Sequence, residues 1–204
     1  MTEGFSLYDD CVMIRLSDEV FANCEAFTCG NSDLDDFFMN DAKKYADELM
    51  GKTYCWITDS RPHKIVALFT LANDSIKTTY LDSSTKNRIN RPIDNHKRGR
   101  SYPAALIGRV GVNEEFQGLR LGSQLMEFIK DWFRDEDNKT GCRFLVVDAY
   151  NNFKTLNFYE RNGFKFLHKD DEEEKSFYHI NDSVIATRLM YFDLKNKFLC
   201  LKSK

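Results

Sequence analysis

The chain has 204 residues, of which 42% are hydrophobic and 14% aromatic, so it can bury one substantial core. Its formal net charge of −3 argues against a uniformly basic nucleic-acid-binding protein. No run of eighteen or more apolar residues occurs, and the N-terminus lacks a basic segment followed by an apolar one. We therefore expect a single domain over 1–204 in a soluble, cytoplasmic protein that has no membrane partner.

The cysteines indicate neither a metal site nor a disulfide framework. No two of the six form a CxxC pair, and no histidine is placed to complete a zinc site. We therefore expect no bound metal, and reduced, mostly structural thiols at positions 11, 24, 29, 55, 142 and 200.

The first part of the chain predicts strands around one amphipathic helix. Apolar residues at helical spacing predict a helix over 32–49, with Ser32 and Asp35 able to form a capping box. Strands are predicted at 11–16, 52–58 and 64–72, and the last two form an antiparallel hairpin.

The second part predicts a strand, a crossover helix and a parallel strand. AALIGRVGV is a strand, and apolar side chains at 121–133 then share one side of a helix. RFLVVDAY at 143–150 is apolar enough to be buried on both faces, as in a parallel strand covered by helices. The whole pattern predicts a mixed α/β sheet.

A short helix and two further strands complete the prediction. The helix spans about 152–161, and Asn162 with Gly163 ends it in the position of a left-handed cap. FKFL and SVIATRLMYFDL are the last two strands, and the acidic run at 170–174 is predicted to be a solvated loop between them.

The sequence QGLRLG at 117–122 predicts an anion-binding turn between the strand and the helix. The first turn of a helix leaves backbone N–H groups without partners and carries partial positive charge. Gly118 and Gly122 allow a tight turn and the close approach of a diphosphate, since neither has a side chain. Two glycines alone would fit an ordinary turn equally well.

The order of these elements, together with QGLRLG, RFLVVDA and NFKTLNFYERNGF, resembles the GNAT superfamily of N-acetyltransferases. The resemblance covers about 11–193 and is densest at 107–166. It implies a mixed, mostly antiparallel central sheet with helices on both faces and a splayed parallel strand pair. The segment 27–42, FTCGNSDLDDFFMNDA, further resembles the branch that includes toxins acetylating aminoacyl-tRNA, although relatives without that role share it.

The resemblance implies acetyl-CoA as the acetyl donor. Its diphosphate would bind the backbone N–H groups of Gln117, Gly118, Leu119, Leu121 and Gly122. Arg120 stands where the family motif usually has glycine, and we expect a negative, helical φ there, with the guanidinium able to pair with phosphate. A positive φ at this position would weaken acetyl-CoA binding.

The resemblance also assigns residues outside the turn. Val110 and Val112 lie on the strand along which the pantetheine arm would extend, although any buried strand favours such residues. Asn152 would help to hold the arm or cap the start of its helix. Tyr159, in the FYE motif, would protonate the departing thiolate, since its ordinary pKa of about 10 suits that task.

The acceptor is left open between two kinds of amine. The stretch 77–100 holds seven Lys or Arg against two Asp, which favours an aminoacyl-tRNA-acetylating toxin, whereas the acidic total favours a small-molecule or protein amine. No general base stands out, which suits an α-amine of pKa about 8. A non-catalytic module that binds acyl-CoA or a partner is the alternative, and a homodimer stays open.

Overall fold

The computed structural model describes residues 4–196 and contains a sheet of seven strands. These are β1 (Cys11–Arg15), β2 (Lys52–Thr58), β3 (Ile65–Lys77), β4 (Ser101–Val112), β5 (Phe144–Tyr150), β6 (Lys165–Phe166) and β7 (Thr187–Asp193). Hydrogen-bonded neighbours follow the order β1-β2-β3-β4-β5-β7-β6, and β4 and β5 form a parallel pair. The predicted mixed, mostly antiparallel α/β fold is confirmed.

Eight α-helices are described within 4–196. They are α1 (Leu7–Asp10), α2 (Asp18–Asn23), α3 (Ser32–Asp36), α4 (Ala42–Asp47), α5 (Ser83–Asn90), α6 (Leu121–Arg134), α7 (Phe153–Arg161) and α8 (Asp171–Tyr178). A π-helical turn, Phe37–Asp41, joins α3 to α4, so the helix predicted over 32–49 is confirmed with an irregular middle. None of the helices in this part of the chain is long and apolar enough to cross a membrane.

Asn31 caps α3, so the predicted capping box of Ser32 and Asp35 is wrong. The Asn31 side-chain oxygen accepts hydrogen bonds from the N–H groups two and three residues later, at 3.1 and 3.2 Å. Asn31 has the extended backbone that a cap requires, with φ −128° and ψ 108°. Asp35 instead accepts from Cys29 N and from the hydroxyl of Thr28.

The described residues pack as two compact units. One consists of 4–73 with 107–131, and the other of 74–106 with 132–196. The expectation of one domain over the whole chain stays a prediction. In the first unit, β2 pairs antiparallel with both β1 and β3. Residues 65–69 of β3 are completely buried, and helix residues such as Phe38 share their core.

In the second unit, β5 lies between β4 and β7. It pairs in parallel with β4 from Ala104↔Phe144 to Leu106↔Val146, and antiparallel with β7 along its whole length. Residues 144–147 are almost fully buried, which explains the uninterrupted apolar run in the sequence. The predicted splay of the parallel pair stays a prediction.

The basic stretch 77–100 is anchored to the core of the second unit. β3 continues to Lys77, five residues further than predicted, and α5 follows. Leu81, Ile89 and Ile93 belong to the buried cluster of this unit, whereas all seven Lys and Arg of the stretch are exposed. The stretch is therefore an ordered basic surface.

The acidic run is the start of α8, so the predicted solvated loop is wrong. Asp170 caps the helix by accepting from Glu173 N at 2.9 Å, and acidic residues are favourable in the first turn. Glu174 is 2% exposed and accepts from Arg188 Nε at 2.6 Å. Glu174 is not solvated because it forms this buried ion pair with Arg188 of β7.

We expect His168→Leu to stabilise the protein, and more strongly at low pH. His168 is 1% exposed and neither ring nitrogen has a hydrogen-bond partner within 4–196, so the variant should gain about 1 kcal/mol at pH 8. Burial lowers the pKa of His168 from its usual 6.5. Below about pH 6.5 the unfolded chain therefore binds a proton that the folded protein excludes, and the wild type loses stability as the pH falls.

Urea unfolding of both proteins at pH 8 and pH 5 measures this difference. The control is His96→Gln, because His96 is an exposed histidine. Its replacement should leave the free energy of unfolding as in the wild type at both pH 8 and pH 5. A gain for His168→Leu that shrinks at pH 5 would contradict the assignment.

Candidate functional site

A tight turn joins β4 to α6, and two of its residues have left-handed backbones. After the 3₁₀ turn Glu114–Phe116, Gly118 has φ 85° and Arg120 has φ 60°. The expected negative φ at Arg120 is therefore wrong. The chain is still extended at Gln117, with ψ 152°, and must enter a helix at Leu121, so the change of direction falls on the residues between. Such a backbone costs an ordinary residue about 1–2 kcal/mol.

Five consecutive backbone N–H groups at this turn donate no hydrogen bond to any residue in 4–196. They belong to Gly118, Leu119, Arg120, Leu121 and Gly122. The next two N–H groups, of Ser123 and Gln124, donate to Arg120 O at 3.0 and 3.2 Å. Helix α6 has 14 residues, and its peptide dipoles add positive potential at this end. The turn is therefore suited to bind a phosphate group.

The residues predicted to contact acetyl-CoA differ in their solvent exposure. Leu121 is 1% exposed and anchors the start of α6 in the core, whereas residues 117–120 are exposed and Gly122 is half-buried. The backbone of the turn is therefore accessible from outside, while one apolar side chain holds it in place.

Gln117 differs from the residues that follow it, because its backbone and side-chain N–H groups already have acceptors. Its backbone N–H donates to Glu114 O at 3.2 Å. Its side-chain Nε2 donates to the carbonyl oxygens of Cys29 and Val112, both at 3.0 Å. Gln117 therefore holds the turn against two other segments.

Sequence reasoning missed the segment 28–31 as a neighbour of the turn. Besides the bond from Gln117 to Cys29 O, Glu114 N donates to Thr28 O at 2.9 Å. The available signal was the tetrapeptide TCGN, because glycine and asparagine favour turns. Nothing in the sequence indicates which part of the chain such a turn contacts.

Val110 and Val112 lie half-buried near the end of β4, directly before the turn. Both side chains belong to the same face of the strand, since side chains alternate along it. Their proposed place beside the pantetheine arm stays a prediction.

Tyr159 lies on α7 with a buried ring. It is 8% exposed, and its ring packs against those of Phe158 and Phe164 at centroid distances of 5.1 and 5.4 Å. Its hydroxyl forms no hydrogen bond with any described residue, and burial raises the pKa of the phenol above its ordinary value. A phenol that stays protonated and has no partner can donate a proton to a ligand.

Asn152 caps α7, the helix that carries Tyr159. Its side-chain oxygen accepts a hydrogen bond from Thr155 N at 2.9 Å, and its backbone is extended. The capping role is thus present, and a contact with the pantetheine arm stays a prediction.

The acidic residues before the turn show no sign of a general base. Glu115 pairs with Lys64 at 2.6 Å, and the same ammonium group contacts Glu25 at 3.2 Å. Glu114 is exposed. These carboxylates are held as solvated ion pairs or surface groups.

The described residues offer no metal site. Within 4–196, no three His, Cys, Asp or Glu side chains are grouped so that they could bind a metal ion. The five cysteines in this range are free thiols, and Cys200 lies outside the described residues.

The strand, the turn with unpaired N–H groups, the long helix and the parallel strand follow one another in the order that the sequence predicted. Residues 87–164 match the model of the Acetyltransferase (GNAT) family. This segment contains the turn, α6, β5 and Tyr159. The predicted resemblance to the GNAT superfamily is thereby confirmed over this segment.

Solved structures share the fold over most of the chain. AtaT complexed with acetyl-methionyl-tRNAfMet has a TM-score of 0.67 at 19% identity, covering 91% of this chain and 96% of that one. A tyrosine-to-phenylalanine mutant of KacT has a TM-score of 0.64 at 17% identity, with coverages of 92% and 96%. AtaTR bound with AcCoA has a TM-score of 0.60 at 19% identity, with coverages of 92% and 95%. No curated protein sequence matches the chain.

The left-handed turn makes a prediction about folding stability. Gly118→Ala should cost about 1 kcal/mol, because a Cβ is unfavourable at φ 85°. Gly141→Ala is the matched control: an added Cβ has no atom within 4 Å at either glycine, but the backbone of Gly141 is not left-handed. Chemical denaturation should show a change within about 0.5 kcal/mol for the control. Equal losses in both variants would contradict the assignment of strain.

Proposed function

We propose that this chain is an N-acetyltransferase that moves an acetyl group from acetyl-CoA to a primary amine. The observation that carries the proposal is the row of five unpaired N–H groups at Gly118–Gly122, at the start of α6. The diphosphate of coenzyme A would supply the missing acceptors. The family match over 87–164 and the AtaTR structure bound with AcCoA support this donor.

The proposed reaction is a direct attack within a ternary complex. The neutral amine forms the new C–N bond at the thioester carbon, and the C–S bond then breaks. The backbone of β4 at Val110 and Val112 holds the pantetheine arm and offers an N–H to the oxyanion. Tyr159 donates its proton to the thiolate, and the amine nitrogen releases a proton to solvent. Asn152 orders the start of the helix that carries Tyr159.

Aminoacyl-tRNA is the acceptor that we propose first. Its α-amine has an ordinary pKa of about 8 and needs less help from a base than lysine does. On the basic surface, the side chains of Lys77, Lys86, Arg91, Lys97 and Arg100 have no ion-pair partner among the described residues. The structure of AtaT complexed with acetyl-methionyl-tRNAfMet supports this acceptor. The net charge of −3 is the feature that favours a small-molecule or protein amine instead.

Two further features of the surface fit a nucleic acid. Tyr80 is 75% exposed and could stack on a base. Asp82, one of the two acidic residues in the stretch, is the N-cap of α5 and accepts from Ser84 N at 2.7 Å. That carboxylate is therefore engaged with the start of the helix.

A toxin role with a neutralising partner follows from the same proposal. AtaT toxin has been solved bound to the C-terminus of the antitoxin AtaR, which supports a protein partner for this chain as well. Aminoacyl-tRNA would place the protein in the cytoplasm. The homodimer stays a prediction.

A non-catalytic module that binds acyl-CoA or a partner is the second candidate, and Arg120 together with the lack of an evident general base in 4–196 motivates it. A positive φ of 60° at the motif's usual glycine is the condition under which acetyl-CoA binding should weaken. We propose that the guanidinium offsets this strain by pairing with phosphate. Release of free thiol from acetyl-CoA on addition of an amine separates the two candidates, because a silent module releases none.

Tyr159→Phe tests whether Tyr159 acts as the general acid. Removing the hydroxyl should lower kcat about 100-fold and leave the Kd for acetyl-CoA within twofold, because the ring packing is retained. Stopped-flow thiol release and calorimetry measure the two quantities. Tyr102→Phe is the control, since that hydroxyl donates to Asn90 at 2.7 Å and serves the fold. A wild-type kcat for Tyr159→Phe would exclude the proposed role.

The basic surface predicts a salt-dependent affinity for tRNA. Replacing both Lys86 and Arg91 with glutamine should reduce the slope of log K against log salt by about 1–2, because each neutralised phosphate releases counterions. Filter binding from 50 to 200 mM salt measures the slope. Lys44→Gln, outside the stretch and paired with Asp41 at 3.0 Å, should leave it unchanged. No binding by the wild type at low salt would remove tRNA as the acceptor.

A further inference from the structure

We propose that Gln117 is a positioning residue. It links the residues Gly118–Gly122, called the acetyl-CoA turn below, to a second turn, Thr28–Asn31, and thereby sets the affinity for acetyl-CoA. This inference rests on the proposed function, because the ligand concerned is the proposed donor. It adds to that function a dependence on side chains around α3 that do not contact the cofactor.

The link consists of hydrogen bonds that residues just before the acetyl-CoA turn donate to the second turn. Gln117 Nε2 donates to Cys29 O and to Val112 O, both at 3.0 Å, so one amide group bridges the second turn and the end of β4. Three residues earlier, Glu114 N donates to Thr28 O at 2.9 Å. Glu114 and Gln117, which both precede the acetyl-CoA turn, are therefore bonded to the second turn.

The second turn is itself held by Asp35 of α3. The two carboxylate oxygens accept from Cys29 N at 2.9 Å and from Thr28 Oγ1 at 2.7 Å, and Thr28 Oγ1 accepts from Gly30 N at 3.2 Å. Burial alone would raise the pKa of Asp35, but these hydrogen bonds hold it below its usual value. Asp35 is therefore ionised and acts as a fixed acceptor at neutral pH.

Gly30 gives the second turn its left-handed backbone. It has φ 77°, and a Cβ at this position would lie 2.5 Å from Glu114 Oε1, the end of an exposed side chain that can move aside. A side chain at position 30 would thus be unfavourable mainly for its own backbone.

The acetyl-CoA turn has a physical need for such support. Its five N–H groups donate no hydrogen bond within residues 4–196, and Arg120 has a left-handed backbone, which is unfavourable for a residue with a side chain. Before the ligand arrives, nothing within the turn compensates for these costs. Support from Gln117 orders the turn in advance, so that less binding free energy is lost when the diphosphate is bound.

Gln117→Leu removes the side-chain donors and keeps the backbone. The expected result is a rise of about tenfold in both the Kd and the KM for acetyl-CoA, with kcat at saturation within twofold of the wild type. Gln117→Arg should restore much of the affinity, because a guanidinium also offers several donors to two carbonyls. Calorimetry and steady-state thiol release give the two constants.

Asp35→Ala is the second variant, since Asp35 acts only through the second turn. It should raise the Kd for acetyl-CoA several-fold, and its effect should be smaller in the Gln117→Leu background, because both changes break the same connection. Asp36→Ala is the matched control: the carboxylate is next in sequence, but it binds Asn40 Nδ2 at 2.7 Å within its own helix. This control should leave Kd and KM unchanged.

The outcomes separate this inference from the proposed function. A wild type that does not bind acetyl-CoA overturns the proposed function itself. A wild type that binds, together with a Gln117→Leu variant of equal affinity, overturns the positioning role alone. Loss of thermal stability or kcat in Gln117→Leu at an unchanged KM would also overturn it, because that pattern belongs to a residue that only supports the fold.

Discussion

Unsatisfied backbone N–H groups at the start of one helix are the feature on which the functional site depends. A row of five such groups is costly in a folded protein unless water or a ligand provides acceptors. Leu121 anchors the helix in the core, while left-handed residues turn the chain and leave the row accessible. The surrounding elements are best understood as the support that keeps this backbone in place without a ligand.

Much of the fold could be predicted from local patterns. The apolar run 143–150 predicted a buried parallel strand, and helical spacing after Gly122 predicted α6, because such patterns report directly on burial. The acidic run was misjudged because the partner that buries Glu174, Arg188, lies on a distant strand. Long-range ion pairs of this kind leave no periodic signal in the sequence.

The candidate site residues could be named from the sequence, but the backbone conformation and the contacts between segments could not. The motif pointed to Gln117–Gly122 and Tyr159, and their roles stay predictions; in the structure the row of unpaired N–H groups begins at Gly118, because the Gln117 N–H donates to Glu114 O. The left-handed φ at Arg120 was not foreseen, because it follows from how a strand is joined to a helix and not from the residue type. The contact with Thr28–Asn31 depends on the tertiary structure in the same way.

The π-helical turn at Phe37–Asp41 has a consequence for chain-length variation. Its wider winding lets two successive aromatic rings find partners: Phe37 packs near Tyr45 and beneath the guanidinium of Arg109, while Phe38 enters the core beside Phe27. Because a π-helical turn holds one residue more than an α-helical turn, the extra residue is absorbed within Phe37–Asp41. Deleting it would restore regular α-helical winding and leave α4 facing the same way. Related proteins that lack this residue should therefore present the same set of apolar side chains from the following helix.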